Sequence, residues 1–161
     1  MAIKIFNNNF MKNFFKIITA IIISQLAGII GSIFTMPSIL GWYAGLVKPE
    51  LSPPNWIFAP VWTILFLLMG VAGGLVWIKK DYRALTAFAV QLILNTTWSV
   101  IFFGLHSPGW AFVEIIFLWF AILATIIVFA KTSRVAAWML APYIIWVTFA
   151  SYLNFMIWSL N

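Results

Sequence analysis

The sequence predicts an all-α integral membrane protein built as a bundle of five transmembrane helices. Apolar residues make up 65% and charged residues 7% of the 161 residues, whereas soluble domains average about 45–50% and about 25%. Five segments are long and apolar enough to cross a bilayer, which takes about 20 residues. The charged residues lie mostly between these segments, so lipid is the solvent that suits the chain.

We predict a single membrane domain over residues 1–161. The five predicted spans are residues 15–34, 56–78, 85–105, 110–130 and 135–160. Each span is one continuous apolar run, whereas a β-barrel would show alternating segments of about ten residues. A helix also satisfies every backbone polar group within its own segment, as lipid requires.

Small residues recur at helical spacing in the first two spans. They are Ala20, Ser24, Gly28 and Ser32 in the first span and Gly70 and Gly74 in the second. Such residues let helices approach closely. We interpret them as packing inside the bundle, with contact between two copies in a homodimer as the alternative.

The connection after the first span is long and rich in proline. It runs from about residue 35 to residue 55 and holds four of the seven prolines. Loops of this length are often functional, and proline stiffens the backbone. We therefore predict that this first loop forms a fixed cap over a ligand pocket.

Polar and aromatic residues share one face of the third span and one face of the fifth. On the third span this face holds Gln91, Asn95, Trp98 and Ser99. On the fifth span it holds Tyr143, Trp146, Ala150, Leu153 and Asn154. Polar groups within a span face the bundle, because an unpaired amide in hydrocarbon costs several kcal/mol. One interpretation is hydrogen bonding between helices; the other is an aromatic pocket for a large, flat, apolar ligand.

The ten tryptophans divide into two groups. Six lie near predicted span ends, where indole rings form an interfacial belt: Trp42, Trp56, Trp77, Trp110, Trp138 and Trp158. Four lie deeper, and each is a candidate for a pocket wall or for ordinary packing: Trp62, Trp98, Trp119 and Trp146.

The reactive side chains are few, which excludes several function classes. The chain has no cysteine, one histidine, His106, and three acids, Glu50, Asp81 and Glu114. We predict no metal site and no required cofactor. His106 follows the third span and is expected in a solvated loop, and Pro142 predicts a kink in the fifth span. Glu114 is expected to reach the membrane interface or to cap a helix, with a functional acid inside the membrane as the alternative.

The basic residues indicate the orientation in the membrane. Eight of them fall on one predicted side: Lys4, Lys12, Lys16, Lys79, Lys80, Arg83, Lys131 and Arg134. Only Lys48 falls on the other. The positive-inside rule then places the N-terminus in the cytoplasm and the C-terminus outside. Cleavage of the first span as a signal peptide is the alternative, but no clear cleavage site follows it. Because these bases form no clustered face, we expect no nucleic-acid partner.

Several spaced motifs resemble the tryptophan-rich sensory protein family, also called TspO or the translocator protein/peripheral benzodiazepine receptor family. The similar stretches are FTMP (34–37), WYAGLVKP (42–49), PPNWIFAPVW (53–62), QLILNTTWS (91–99) and AWMLAPYIIWVTFASYLN (137–154). The resemblance implies a five-helix membrane fold, commonly dimeric. It implies binding of porphyrins such as protoporphyrin IX, of synthetic isoquinoline carboxamides and benzodiazepines, and in some members of cholesterol.

The resemblance also implies roles for single residues. Trp42 and Tyr43 match a first-loop pair near the ligand, Trp62, Asn95 and Trp146 match pocket positions, and Ala150 matches a small residue beside the pocket. Together with the facing argument, this makes eight candidate ligand-binding residues: Trp42, Tyr43, Trp62, Asn95, Trp98, Tyr143, Trp146 and Ala150. Animal members end with a cholesterol-recognition stretch in which a base follows tyrosine. Here no base follows Tyr152, which argues against cholesterol and favours a prokaryotic cell membrane.

We therefore expect a membrane receptor that binds tetrapyrroles and related flat apolar ligands and regulates or translocates them. Its partners are expected to be membrane lipid and a second copy of the chain in a homodimer. One alternative is light-dependent porphyrin degradation, in which Trp62, Trp146 and Tyr43 would take part. Another is a small-molecule or sterol transporter, although no internal repeat is visible. The last is a scaffold whose aromatic residues serve packing alone.

Overall fold

The computed structural model describes the backbone of residues 2–161 and the side chains from residue 9 onward. Five helical segments are long and apolar enough to cross a membrane: Asn9–Ile39, Asn55–Ile78, Tyr82–Gly104, Pro108–Thr132 and Arg134–Leu160. No strand occurs in this part of the chain. The predicted all-α bundle of five spans is confirmed.

The described residues form seven α-helices, one 3₁₀ turn and one π-helical turn, and all of these except α2 belong to the spans. Helix α1 covers Ala2–Ile39 and α2, in the first loop, covers Trp42–Gly45. A 3₁₀ turn, Asn55–Ile57, leads into α3, Phe58–Ile78. Helix α4, Tyr82–Ser99, continues as a π-helical turn, Val100–Gly104. The chain then forms α5, Pro108–Thr132, α6, Arg134–Met139, and α7, Ala141–Leu160.

Helix α1 runs five residues past the predicted end of the first span and includes Pro37. Because the helix ends at Ile39, the proline removes only one hydrogen bond near the end. The hydroxyl of Ser38 donates to the carbonyl of Phe103, 2.8 Å away in the π-helical turn. The first loop is therefore shorter than predicted, and its start is anchored to the third span.

The small residues of the first two spans pack α1 against α3. A Cβ atom on Gly70 would lie 2.4 Å from the Cα atom of Ile21, and one on Gly74 would lie 2.6 Å from the Cα atom of Ile17. These distances leave no room for a side chain. The interpretation as packing inside the bundle is thus confirmed for the second span.

The third and fifth spans are interrupted near their functional faces. The amide of Leu105 donates to the carbonyl of Val100 at 2.9 Å, which closes the π-helical turn. In the fifth span Leu140 separates α6 from α7, so the helix is interrupted two residues before Pro142. Pro142 lies in the first turn of α7, where its missing N–H group is not needed.

Basic residues gather at the end of the bundle opposite the first loop. Lys79 and Lys80 follow α3, and Lys131 closes α5. Asp81 caps α4, because its carboxylate accepts from the amide of Ala84 at 3.1 Å. The hydroxyl of Thr132 donates to the same carboxylate, and this bond, with that from Ala84, lowers the pKa of Asp81. The side chain of Lys4 lies outside the described residues.

A candidate ligand-binding cavity

A cavity of about 450 Å³ lies at the first-loop end of the bundle. Residues of α1, the first loop, α3, α4, the π-helical turn and α7 line it. The volume falls within the roughly 300–1,000 Å³ of small-molecule sites. Six of the eight predicted binding residues line this cavity together: Tyr43, Trp62, Asn95, Trp98, Trp146 and Ala150.

Tyr43 forms the roof of the cavity. It is a buried residue of the short helix α2, and its ring centroid lies 5.5 Å from that of Phe103 and 6.3 Å from that of Phe102. The ammonium group of Lys48 lies 4.7 Å from the centroid of the Tyr43 ring. Burial raises the pKa of the Tyr43 phenol, so the hydroxyl remains a hydrogen-bond donor at neutral pH.

Tryptophan rings from α3 and α7 form the side walls. Trp62 packs edge-on against Tyr143, with centroids 6.3 Å apart. Trp146 packs edge-on against Phe58 at 5.9 Å. The indole nitrogen of Trp146 is buried and has no hydrogen-bond partner among the described residues. A buried donor without a partner is costly, and a ligand acceptor would reach this N–H group only after a small shift of the indole ring, which itself lines the cavity.

The indole of Trp98 differs, because its hydrogen bond is already made. Its Nε1 donates to Oδ1 of Asn154 at 2.9 Å, and Nδ2 of Asn154 donates to the carbonyl of Pro108 at 2.7 Å. The ring also stacks on Phe102, with centroids 5.0 Å apart. Trp98 therefore offers the cavity an apolar ring and no free polar atom.

Asn95 supplies an oriented amide. Its Nδ2 donates to the hydroxyl of Tyr143 at 2.9 Å. Asn95 also lines the cavity, and its Oδ1 accepts no hydrogen bond from the described residues. Tyr143, predicted to line the pocket, is only 1% exposed and lies behind the wall. It acts on the cavity through Asn95.

Trp42 also lies outside the cavity. Its ring stacks on that of His106, with centroids 4.4 Å apart and planes 16° apart. Both residues border a separate open groove of about 700 Å³ that Trp110 and Trp158 share. Because Trp42 and Tyr43 are adjacent in a helix, their side chains point in different directions, and only one can enter the cavity.

His106 is exposed, as predicted, but it is not free. It has a left-handed backbone conformation, with φ of 50°, which is uncommon for a residue with a side chain. Its Nε2 atom lies 3.3 Å from the hydroxyl oxygen of Ser38. Since that hydroxyl donates to the carbonyl of Phe103, it accepts from His106, which thereby joins the turn after the third span to α1.

Sequence reasoning missed the contribution of α1 to the cavity, and in the first loop it did not single out Asn55. Gly28, Gly31 and Ser32 line it from α1, and Asn55 lines it from the loop. Gly28 and Ser32 belong to the small-residue ladder that we interpreted as packing inside the bundle, or else as contact between two copies, and not as part of a ligand site. The ladder was the available signal: small side chains leave space for a ligand as well as for a neighbouring helix.

Two polar residues of the bundle interior lie apart from the cavity. Glu114 is 8% exposed, so the prediction that it reaches the membrane interface is wrong. Helix α5 begins at Pro108, which places Glu114 nearly two turns inside the helix rather than one. Gln91 is 1% exposed. Neither side chain has a hydrogen-bond partner among the described residues, and neither lines the cavity.

Comparison with known proteins identifies the family. A sequence model of the TspO/MBR family matches residues 20–159. The chain belongs to the TspO/MBR family. It is 47% identical over 139 residues to the tryptophan-rich protein TspO of Chlorobaculum tepidum, covering 83% of this chain and 88% of that protein.

Other organisms also contain similar proteins. The tryptophan-rich protein TspO of Archaeoglobus fulgidus is 41% identical over 152 residues, which is 92% of this chain and 99% of that one. The human translocator protein is 38% identical over 143 residues, 85% of each chain. Family membership and the five apolar helices together make this chain a multi-pass integral membrane protein.

Proposed function

We propose that this TspO/MBR family protein binds tetrapyrroles such as protoporphyrin IX in the cavity and regulates or translocates them. The observation that carries the proposal is a largely apolar cavity lined by the aromatic rings of Tyr43, Trp62, Trp98 and Trp146, with the unpartnered indole N–H of Trp146 buried in its wall. A ligand that fits must be apolar, present flat faces to aromatic rings and carry a few polar atoms.

A porphyrin meets each of these requirements. Its macrocycle offers two apolar faces to rings such as those of Trp62 and Trp146. Its pyrrole N–H groups can donate to Oδ1 of Asn95, and a side-chain carboxylate can accept from Nε1 of Trp146. Each of these polar atoms would otherwise remain without a partner in the bound state, so the pairing adds selectivity to the apolar contact.

The test is a titration of the purified protein in lipid nanodiscs with protoporphyrin IX, followed by tryptophan quenching. We expect saturable quenching that weakens in Trp146→Phe. Trp138→Phe is the control, because Trp138 is 76% exposed and does not line the cavity. Quenching that never saturates, or that both variants leave unchanged, would refute binding in the cavity.

Light-dependent porphyrin degradation is the second candidate function. Three oxidisable rings, Tyr43, Trp62 and Trp146, border the cavity and would touch a bound porphyrin. The proposed activity predicts loss of the porphyrin Soret band under light and air, at a rate that falls in Trp146→Phe at equal ligand occupancy. Equal degradation rates in the wild type and in Trp146→Phe would show that Trp146 takes no part in the reaction.

Orientation and assembly are part of the proposal. We expect a homodimer in a prokaryotic cell membrane, with the basic end of the bundle in the cytoplasm. Because the chain has no cysteine, single variants Lys80→Cys and Ser159→Cys can be labelled in intact cells with a membrane-impermeant maleimide. Labelling of Ser159→Cys alone agrees with the proposed orientation, and labelling of Lys80→Cys alone reverses it.

A further inference from the structure

The side chain of Asn161 hydrogen-bonds to Val47 of the first loop, and we call this pair of hydrogen bonds the clasp. Its Oδ1 accepts from the amide of Val47 at 3.0 Å, and its Nδ2 donates to the carbonyl of Val47 at 3.1 Å. The same Nδ2 donates to the carbonyl of Ile157 at 2.8 Å. The Asn161 amide thus pairs with both backbone polar groups of Val47 while it remains fixed to α7.

These bonds are the ones that attach the irregular part of the first loop to the bundle. Within the described part of the chain, the other hydrogen bonds of residues 46–54 stay inside the loop and the turn that follows it. Leu46 donates to Tyr43, Ser52 donates to Pro49, and Ile57 donates to the carbonyl of Pro54. Without Asn161, no hydrogen bond among the described residues would join this stretch to the bundle.

Val47, to which Asn161 bonds, lies four residues after Tyr43, the residue that forms the roof of the cavity. Val47 lies between Leu46, which ends the helix that carries Tyr43, and Lys48, whose ammonium group lies over the Tyr43 ring. Helix α7 carries Trp146 and Ala150 of the cavity wall. The clasp therefore joins the roof to the wall.

We propose that Asn161 is a positioning residue that holds the first loop closed over the cavity and sets the rate at which a bound ligand leaves. This inference rests on the proposed binding function. Two neutral hydrogen bonds to Val47 are lost when the amide is removed, and each contributes modestly because both lie at the surface. We expect the loop to open, and the ligand to dissociate, about five- to tenfold faster.

Two measurements on the full-length protein in nanodiscs test this inference. The first is the dissociation rate of protoporphyrin IX, measured by stopped-flow recovery of tryptophan fluorescence. The second needs no ligand: it is the rate at which endoproteinase Glu-C cuts after Glu50, an exposed loop residue. The variants are Asn161→Ala and, as control, Ser159→Ala, whose hydroxyl bonds only to the carbonyl of Met156 in its own helix.

We expect Asn161→Ala to raise both rates and Ser159→Ala to change neither. Faster cleavage with unchanged dissociation would overturn the role in ligand exchange, and unchanged cleavage would overturn the clasp itself. If the wild type does not bind protoporphyrin IX, the proposed function fails. In that case cleavage after Glu50 still decides whether Asn161 holds the loop.

Discussion

Two tryptophans of the cavity differ in the state of their indole N–H groups, and this difference predicts opposite effects of the same substitution. The N–H group of Trp146 has no protein partner, whereas that of Trp98 donates to Asn154. Phenylalanine removes the donor at either position and keeps an aromatic ring. The two variants therefore separate ligand binding from stability.

Trp146→Phe should weaken binding and leave the stability of the ligand-free protein nearly unchanged. A hydrogen bond to a charged group such as the porphyrin carboxylate contributes about 1.5–3 kcal/mol, and about 1.4 kcal/mol corresponds to a factor of ten in affinity. The dissociation constant for protoporphyrin IX should thus rise about 10- to 150-fold. No protein hydrogen bond is lost, so the midpoint of thermal unfolding should move little.

Trp98→Phe should do the reverse. It strands Oδ1 of Asn154, which is 1% exposed, and a buried acceptor without a partner costs about 1–3 kcal/mol. At about 2–4 °C per kcal/mol, thermal unfolding should begin several degrees lower, while affinity changes less than in Trp146→Phe. The assays are the nanodisc titration and circular dichroism on heating. Equal affinities for Trp146→Phe and wild type would refute the reasoning, because the ligand would then not use the free donor.

Three further predictions concern the cavity volume, the helix packing and the cap of α4. Ala150→Phe should fill part of the cavity and raise the dissociation constant for protoporphyrin IX at least tenfold, as the same titration would show. Gly70→Ala should lower the free energy of unfolding by about 1–3 kcal/mol, because the new Cβ atom meets the Ile21 backbone; Gly45→Ala, with open space around it, is the matched control for thermal unfolding. Asp81→Asn should lower thermal stability at neutral pH. The pKa of Asp81 is lower in the folded protein than in the unfolded chain, where it is about 3.9. The carboxylate therefore stabilises the fold above that pH, and this contribution disappears as the pH falls through the folded pKa. The difference in unfolding temperature between wild type and Asp81→Asn should thus shrink below about pH 4.

The number of spans and their helical character followed from the sequence, because continuous apolar runs specify spans directly. Their limits did not. The extension of α1 to Ile39 depends on the bond from Ser38 to Phe103, a contact 65 residues away along the chain. The π-helical turn at Val100–Gly104 likewise has no local sequence signal that distinguishes it from ordinary helix.

The candidate site was predictable to the extent that helical spacing defines a face. Spacing groups Tyr143 with Trp146, yet it does not say that the Tyr143 hydroxyl turns away from the cavity toward Asn95. Nor does it say which residue of the Trp42–Tyr43 pair points inward. These choices depend on how neighbouring helices meet, and only the assembled bundle specifies them.

The most direct test of the central claim is an experimental structure of the protein with protoporphyrin IX. We predict density for the macrocycle between Trp62 and Trp146, with a polar group of the ligand within hydrogen-bond distance of Nε1 of Trp146. Density confined to the groove beside Trp42 and His106, or to the lipid-facing surface, would contradict the account.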